Sequence, residues 1–337
     1  VIKHLDPPHP LLGGLNIQTV FFGGGNPTLF PPDVIEALII QIGARLPLVA
    51  DCPISLEFNP RLLENELFEG YRNAGVTRLS IGIQSFNEEH LQRLGRVHDC
   101  ALAKEAAQEA TLYFDNWNLD LMYALPNQTL DDLKMDLDTA FAASPSHISI
   151  YNLTIEPNTY FAKYPPPTID EDIGHEMLDL IEDYSIKNGY SRYEVSAFAK
   201  PGLMCRHNLN YWNFGDYLGI GAGAHSKLSF AHRIVRQVRF RDPARYMAQA
   251  LQGNAITGIE NIKHAALPFE FMLNALRLKS GFDAQLFLDH TGIPLSSIEK
   301  KLQLAENKGL IERKLNWIKP TTMGFNFLND LQMIFLE

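Results

Sequence analysis

Apolar residues return along this chain in two rhythms. Six short runs rich in β-branched and aromatic side chains, TVFF (19–22), ISLEF (54–58), RLSIGI (78–83), NLDLMY (118–123), HISIYNL (147–153) and YEVSAF (193–198), read as buried strands. Between them lie segments with apolar positions every three or four residues, at 33–42, 63–75, 87–94, 104–110, 130–143 and 171–190. Several of these begin at Asp, Asn or Thr and end at Gly or Asn, as capped helices do. Strand and helix alternate in units of about 30 residues, which predicts an α/β fold whose parallel sheet closes, or partly closes, into a barrel. Polar and glycine-bearing residues gather at the C-terminal ends of these strands: GGGNP after the first, Glu57 in the second, Gln84 after the third, Asp120 within the fourth. Parallel α/β sheets bind ligands at that edge.

From Leu267 the rhythm changes to helix, short helix, turn, helix, β-hairpin and helix, the order of a winged-helix unit. The expected organisation is a barrel unit over 1–230, a linker containing a helix over 231–263 and a winged-helix-like unit over 264–337. A winged helix invites a DNA-binding reading, but eight basic and eight acidic residues from 265 onward cancel. DNA recognition leaves a basic footprint, so a lid or packing role is preferred. One stretch fits neither rhythm: HNLNYWNFGDYLGIGAGAHSK, residues 207–227, reads as a loop or a series of tight turns. Long loops in compact units carry function more often than decoration.

Charge and cysteine usage narrow the picture. With 29 basic against 39 acidic residues the net charge is −10, which repels a polyanion, so no nucleic-acid partner is expected. No apolar run reaches the roughly 18 residues a transmembrane helix needs, leaving only peripheral contact with a membrane open. The opening VIKHLDPPHP lacks a signal-peptide pattern, and a cytoplasmic location follows. Cys52, Cys100 and Cys205 are far apart without CxxC spacing, which suggests neither a disulfide framework nor a zinc site. The chain starts with Val rather than Met, and its natural start is expected to lie upstream.

Taken together, FFGGGNP, RLSIGIQSF, RLGRVH, NLDLMYALP, LTIEPNT, YEVSAFAKPG and CRHNLNYWNFGDYLGIGAGAH resemble the HemN/HemW group of radical S-adenosylmethionine (SAM) proteins, from about residue 15 to the C-terminus. The resemblance implies a partial (β/α) radical SAM barrel with a small C-terminal winged-helix-like domain. It also implies SAM, haem or porphyrin, and a [4Fe-4S] cluster held by a CxxxCxxC loop after the first barrel strand. That loop precedes the GGG strand in the family, and this chain contains no such motif. The expectation is a truncated or degenerate copy without cluster ligands.

Individual residues carry two readings each. Three glycines after a strand let backbone approach a ligand closely, although a tight strand-to-helix turn shaped by Pro27 explains them equally. The resemblance gives Gly24, Gly25 and Asn26 to SAM, with Asn26 standing where the family usually has threonine. Glu57 is a lone carboxylate in an apolar strand, costly unless paired or bound. It, Gln84, Arg96, Asp120 and, more faintly, Thr154 could equally hydrogen-bond neighbouring loops; their match to the family assigns them to SAM, with Arg96 facing its carboxylate. A single histidine is more often structural than a ligand. HNxxYW, complete here as His207, Asn208, Tyr211 and Trp212, is the motif that the resemblance links to haem. Histidine ligates haem iron, and Tyr211 and Trp212 offer surface on which a porphyrin stacks. Cys205 reads as a buried thiol and His225 as structural.

Three functions compete at this level. One is a haem-binding protein that passes haem to an acceptor protein, with SAM on its barrel; another is an enzyme, an oxygen-independent coproporphyrinogen III oxidase. The third is an inactive remnant or interaction protein. HNxxYW favours the haem carrier, and no catalytic residue is assigned.

Overall fold

The computed structural model describes residues 16–60, 66–157 and 159–336. Residues 1–15 of the expected barrel unit, the start of the helix expected over 63–75, Asn158 of LTIEPNT and Glu337 lie outside the described residues. The strands are β1 Val20–Phe22, β2 Ile54–Phe58, β3 Arg78–Gln84, β4 Trp117–Tyr123, β5 His147–Asn152, β6 Ser191–Arg192, β7 Ala197–Ala199, β8 His225–Phe230, β9 Arg233–Arg239, β10 Ile256–Asn261, β11 Phe282–Asp283, β12 Ile311–Lys314 and β13 Trp317–Pro320. The helices are α1 Pro32–Gly43, α2 Glu66–Asn73, α3 Glu88–Arg93, α4 Cys100–Tyr113, α5 Leu130–Ala142, α6 Tyr160–Lys163, α7 Glu171–Lys187, α8 Arg206–Trp212, α9 Pro243–Leu251, α10 Leu267–Ala275, α11 Ala284–Thr291, α12 Glu299–Asn307, α13 Thr322–Asn326 and α14 Leu328–Met333.

Two compact units divide the chain, one of residues 16–43 and 47–205, the other formed chiefly from Arg206 onward. In the first, a seven-stranded sheet runs β1-β2-β3-β4-β5-β7-β6. β1 to β5 are parallel, and each pairs with the next in sequence. Consecutive pairing without a reversal of order is how a barrel wall is built, and a doubly wound sheet is not. The strand side chains Leu56, Phe58, Leu79, Ile81, Ile83, Trp117, Leu119, Leu121, Ile148 and Ile150 bury one face of this sheet against the helices. α4 presents Ala103, Ala106, Ala107 and Ala110 to it, small residues that let the helix approach closely. Asn87, Asp99 and Asp170 cap their helices as their types predict, and Thr129 closes a capping box with Asp132; such caps are worth about 1 kcal/mol each.

Four expectations differ from the structure. YEVSAF forms no continuous strand: the Glu194 carboxylate accepts from the Ser196 N–H at 3.0 Å, making a turn between β6 and β7, both antiparallel. The span 231–263, read as a linker, holds β9, α9 and β10, and β9 pairs on both sides to make the sheet β10-β9-β8. The division between units falls at Arg206 rather than near 230. Finally, the stretch read as loop over 207–227 opens as helix α8 and enters β8 at His225. All but the exposed Arg206 of its seven residues are half-buried, so no apolar stripe announces the helix.

Within the second unit α10 to α14 and the sheet β11-β13-β12 follow the winged-helix order and share one core around Phe271, Phe287 and Leu302. Among the described residues no helix is long and apolar enough to cross a membrane.

Candidate ligand-binding site

Side chains alternate across a strand, so burying one face of the sheet under helices exposes the other set together. That second set is polar: Ser55 and Glu57 on β2, Arg78, Ser80, Gly82 and Gln84 on β3, Asn118 and Asp120 on β4, His147, Ser149 and Tyr151 on β5. Register sets Glu57 beside Ser80, Ser80 beside Asn118 and Asn118 beside His147, with Gly82, Asp120 and Ser149 one level on. Glu57 and Asp120 thus share one face, and across a register shift Gln84 reaches it too, its Nε2 3.0 Å from where a Cβ on Gly82 would stand. Arg78, Ser80, Asn118, His147 and Ser149 join them, though the sequence reading did not single them out. Their signal is the same two-residue alternation that exposes Asp120.

At the strand ends the backbone departs from ladder geometry. Gly24 and Gly25 adopt φ of 81° and 62°, the left-handed region that glycine tolerates, and nothing lies within 4 Å of where a Cβ would stand. The Gly24 N–H donates to Glu57 Oε2 at 3.0 Å, so Glu57 fixes the glycine loop as well as facing the site. Asn26 is engaged locally, its Oδ1 accepting from the Thr28 hydroxyl at 2.7 Å. The register shifts between Gly82 and Gln84, and Gln84 takes φ 74°. A non-glycine residue in that region is strained and persists only where its surroundings impose it. Asp136 imposes it from α5: its carboxylate accepts from Ser85 Oγ and from the Phe86 N–H, both at 2.7 Å. Burial pushes that carboxyl up to about 6, against the pull of those two donors.

Asp120 is the electrostatic centre of the face. Burial, with Glu57 adding repulsion, raises its pKa from the ordinary 3.8 to about 6, although Asn118, Ser149 and the Arg78 charge favour the anion. Arg96 interacts with Asp120, and burial lowers its own pKa against that attraction. The loop carrying Arg96 is pinned by His98, whose Nε2 lies 3.1 Å from the Ile83 carbonyl. Tyr151 is pushed up by burial and then by Asp120. Thr154 is exposed beyond the end of β5, and its hydroxyl donates to the Asn152 carbonyl at 3.3 Å. Two anions and two cations on a partly dehydrated surface suit a zwitterionic ligand with hydroxyls.

The other candidate set lies on α8 in the second unit. His207 and Tyr211 are one helical turn apart, ring to ring at 5.0 Å and nearly perpendicular; Tyr211 in turn contacts Tyr217 at 4.6 Å. Burial pushes the Tyr211 hydroxyl up to about 12. Trp212 does not join this pair: the Arg277 guanidinium covers its ring at 4.2 Å, and its buried Nε1 has no hydrogen-bond partner among the described residues. Asn208 sits half-buried on the same helix, while Cys205 is buried and His225 exposed. The glycine-rich remainder is architecture. The Asn210 Nδ2 donates to the Asp216 carbonyl at 2.9 Å, and Asp216 pairs with the buried Lys227 at 2.9 Å and accepts from Ser229. Lys227 lies over the Phe214 ring at 4.1 Å.

The model for the radical SAM superfamily matches residues 12–140. Heme chaperone HemW of Escherichia coli (strain K12) is 40% identical over 338 residues, which cover all of this chain and 88% of that protein. The chain belongs to the HemW family. Heme chaperone HemW of Haemophilus influenzae is 42% identical, over 95% of this chain and 83% of that protein. Among solved structures, coproporphyrinogen III oxidase (HemN) from E. coli matches with a TM-score of 0.81 at 21% identity, covering 99% of this HemW-family chain and 81% of that one, a likeness of fold.

The radical SAM superfamily implies SAM and a [4Fe-4S] cluster. The residues of this HemW-family chain fit SAM: a glycine cradle with open space, a half-buried carboxylate and a partly dehydrated arginine meet on one edge. They do not fit the cluster, because among the described residues no three His, Cys, Asp or Glu side chains could share a metal ion. Its cysteines are dispersed, before β2, at the start of α4 and at the end of the first unit. For haem the donor set fits, with an imidazole beside stacked phenol rings and an indole N–H left unbonded.

Proposed function

We propose that this chain is a haem chaperone of the HemW type, which holds haem through His207, binds SAM along the polar face of its sheet and passes haem to an acceptor protein. The observation that carries the reading is the ring-to-ring pairing of His207 and Tyr211 on one face of α8, within a complete HNxxYW motif. In this reading His207 would hold the haem iron through a ring nitrogen, Tyr211 and Tyr217 would orient the imidazole, and Asn208 and Trp212 would complete the rim. On the first unit Gly24 and Gly25 carry the amino-acid end of SAM with Asn26 at their margin, Arg96 meets its carboxylate, and Glu57, Gln84, Asp120 and Thr154 meet its amine and hydroxyls. Bound SAM would supply a sulfonium. The cytoplasm is the compartment this reading implies, in keeping with three cysteines that form no disulfide.

Fold likeness to HemN supports no particular activity. The deciding experiment is a haem titration of the full chain followed by absorbance, with His207→Ala alongside and circular dichroism to check its fold. Saturable binding weakened at least about tenfold in the variant, roughly 1.4 kcal/mol, is expected. Equal binding by a folded His207→Ala would overturn the assignment.

A further inference from the structure

Asn118 lies two residues before Asp120 on β4, hence on the same face, with Ser80 and His147 as its in-register neighbours. Its Nδ2 donates to Ser80 Oγ at 2.8 Å and to Asp120 Oδ1 at 2.7 Å. Its Oδ1 meets His147 Nδ1 at 2.6 Å and the Ser149 hydroxyl at 3.0 Å. The amide therefore uses all four of its hydrogen-bonding capacities. Beyond it, His147 Nε2 meets the Tyr193 hydroxyl at 2.9 Å, and the two rings sit edge to face at 5.6 Å. Asn118 is 2% exposed and His147 is wholly buried, so water cannot substitute for any of these partners.

One placement of protons satisfies this chain when Asp120 is ionised. The carboxylate accepts, so Asn118 must turn its Nδ2 toward it and its Oδ1 toward His147. The imidazole must then carry its proton on Nδ1, which leaves Nε2 bare to accept from the Tyr193 O–H. Burial and the nearby Arg78 keep His147 neutral, as this arrangement requires. A flipped Asn118 would set its carbonyl oxygen against the carboxylate. The direction of donation, Tyr193 to His147 to Asn118 to Asp120, is thus fixed by the last member.

We propose that Asn118 and His147 are positioning residues for ligand binding at Asp120, the chain from Tyr193 holding the carboxylate in one orientation toward the hydroxyl or amine donors of a bound nucleoside. The proposal rests on the reading of this face as a SAM site. None of the three residues need touch the ligand; each acts through the next.

Two measurements on the full chain test it. Nitrogen-15 NMR of the His147 ring, read without ligand at neutral pH, is expected to show Nδ1 protonated and Nε2 bare; the opposite tautomer overturns the chain. Calorimetry with SAM and with S-adenosylhomocysteine then compares variants. His147→Phe keeps a ring against Tyr193 but removes the donor, and about a tenfold loss of affinity is expected. His147→Asn places an amide N–H near the lost Nδ1 and is expected to recover most of it, a rescue that a merely structural role would not give. Undiminished affinity in His147→Phe, or no rescue by a folded His147→Asn, overturns the positioning role. Should His147→Phe fail to fold, Ser80→Ala, which releases one Asn118 proton, is expected to weaken binding about threefold, and an unchanged affinity there counts equally against the role. A wild-type chain that binds neither nucleoside, with His147 in the expected tautomer, overturns instead the SAM reading beneath it.

Discussion

Gly219→Ala is expected to destabilise the second unit by about 3 kcal/mol or more, seen as a lower midpoint in urea unfolding. A Cβ built there would stand 2.0 Å from the His225 carbonyl oxygen and 3.0 Å from its nitrogen, so main chain rather than a flexible side chain blocks it. Overpacked cores relax by shifting side chains, but here relief means moving the start of β8. It also means breaking the bond from the Gly219 N–H to Ser226 Oγ at 3.0 Å. Gly258→Ala in β10, where nothing lies within 4 Å of the new carbon, is the control and is expected to change stability by about 0.5 kcal/mol or less. Equal midpoints for the two variants would contradict the packing described for the GIGAGAH turn.

Asp120→Asn is expected to stabilise the chain while weakening its ligand binding. The carboxyl pKa rises from 3.8 to about 6 on folding, so the native state binds the proton more tightly than the unfolded chain does. Stability from this group is therefore complete below pH 3.8 and is lost as pH rises through 6. An asparagine still accepts from Asn118 but carries no buried charge. The variant should match the wild type near pH 3.5 and exceed it by about 2 to 3 kcal/mol above pH 7, less whatever Arg96 loses with its partner. Arg78, Glu57, Arg96 and Tyr151 are the other charged or titratable groups facing this carboxyl. Parallel denaturation of both proteins at pH 3.5, 5 and 7.5 reads the difference; a gap independent of pH would contradict the burial assigned to Asp120. A gain in stability with a loss of affinity is the usual signature of a group retained for function.

Rhythm alone revealed the helix-facing half of the sheet, because Leu119, Leu121, Ile148 and their neighbours must be apolar to pack. The opposite half was legible only where a polar residue interrupts an apolar run conspicuously, as Glu57 and Asp120 do. Ser80, Asn118 and Ser149 occupy equivalent alternate positions but are small or neutral. Tyr193 joins them from a turn 46 residues beyond His147, which no local pattern conveys. Asp136 is hidden for a similar reason: on α5 it looks like one more acidic position of a solvated helix, yet it anchors Ser85 and Phe86 about 50 residues away. β9 escaped notice since RIVRQVR mixes arginine into a strand, two of whose arginines find partners, Arg236 with Glu270 at 2.6 Å and Arg239 with Ser226 at 2.9 Å. α8 went unread because a short helix with no fully buried side chain has no periodic signature.

At Gly24 and Gly25 space and handedness come apart. Room exists for a methyl group at both positions, and only the positive φ forbids an L-residue from occupying it. A D-alanine, introduced by joining synthetic and expressed segments, has the mirror-image preference and would sit there without strain. Its methyl group takes the place of the other α-hydrogen, so beside L-alanine, whose methyl enters the open side at the cost of a strained φ, it separates the need for this backbone shape from the need for this opening.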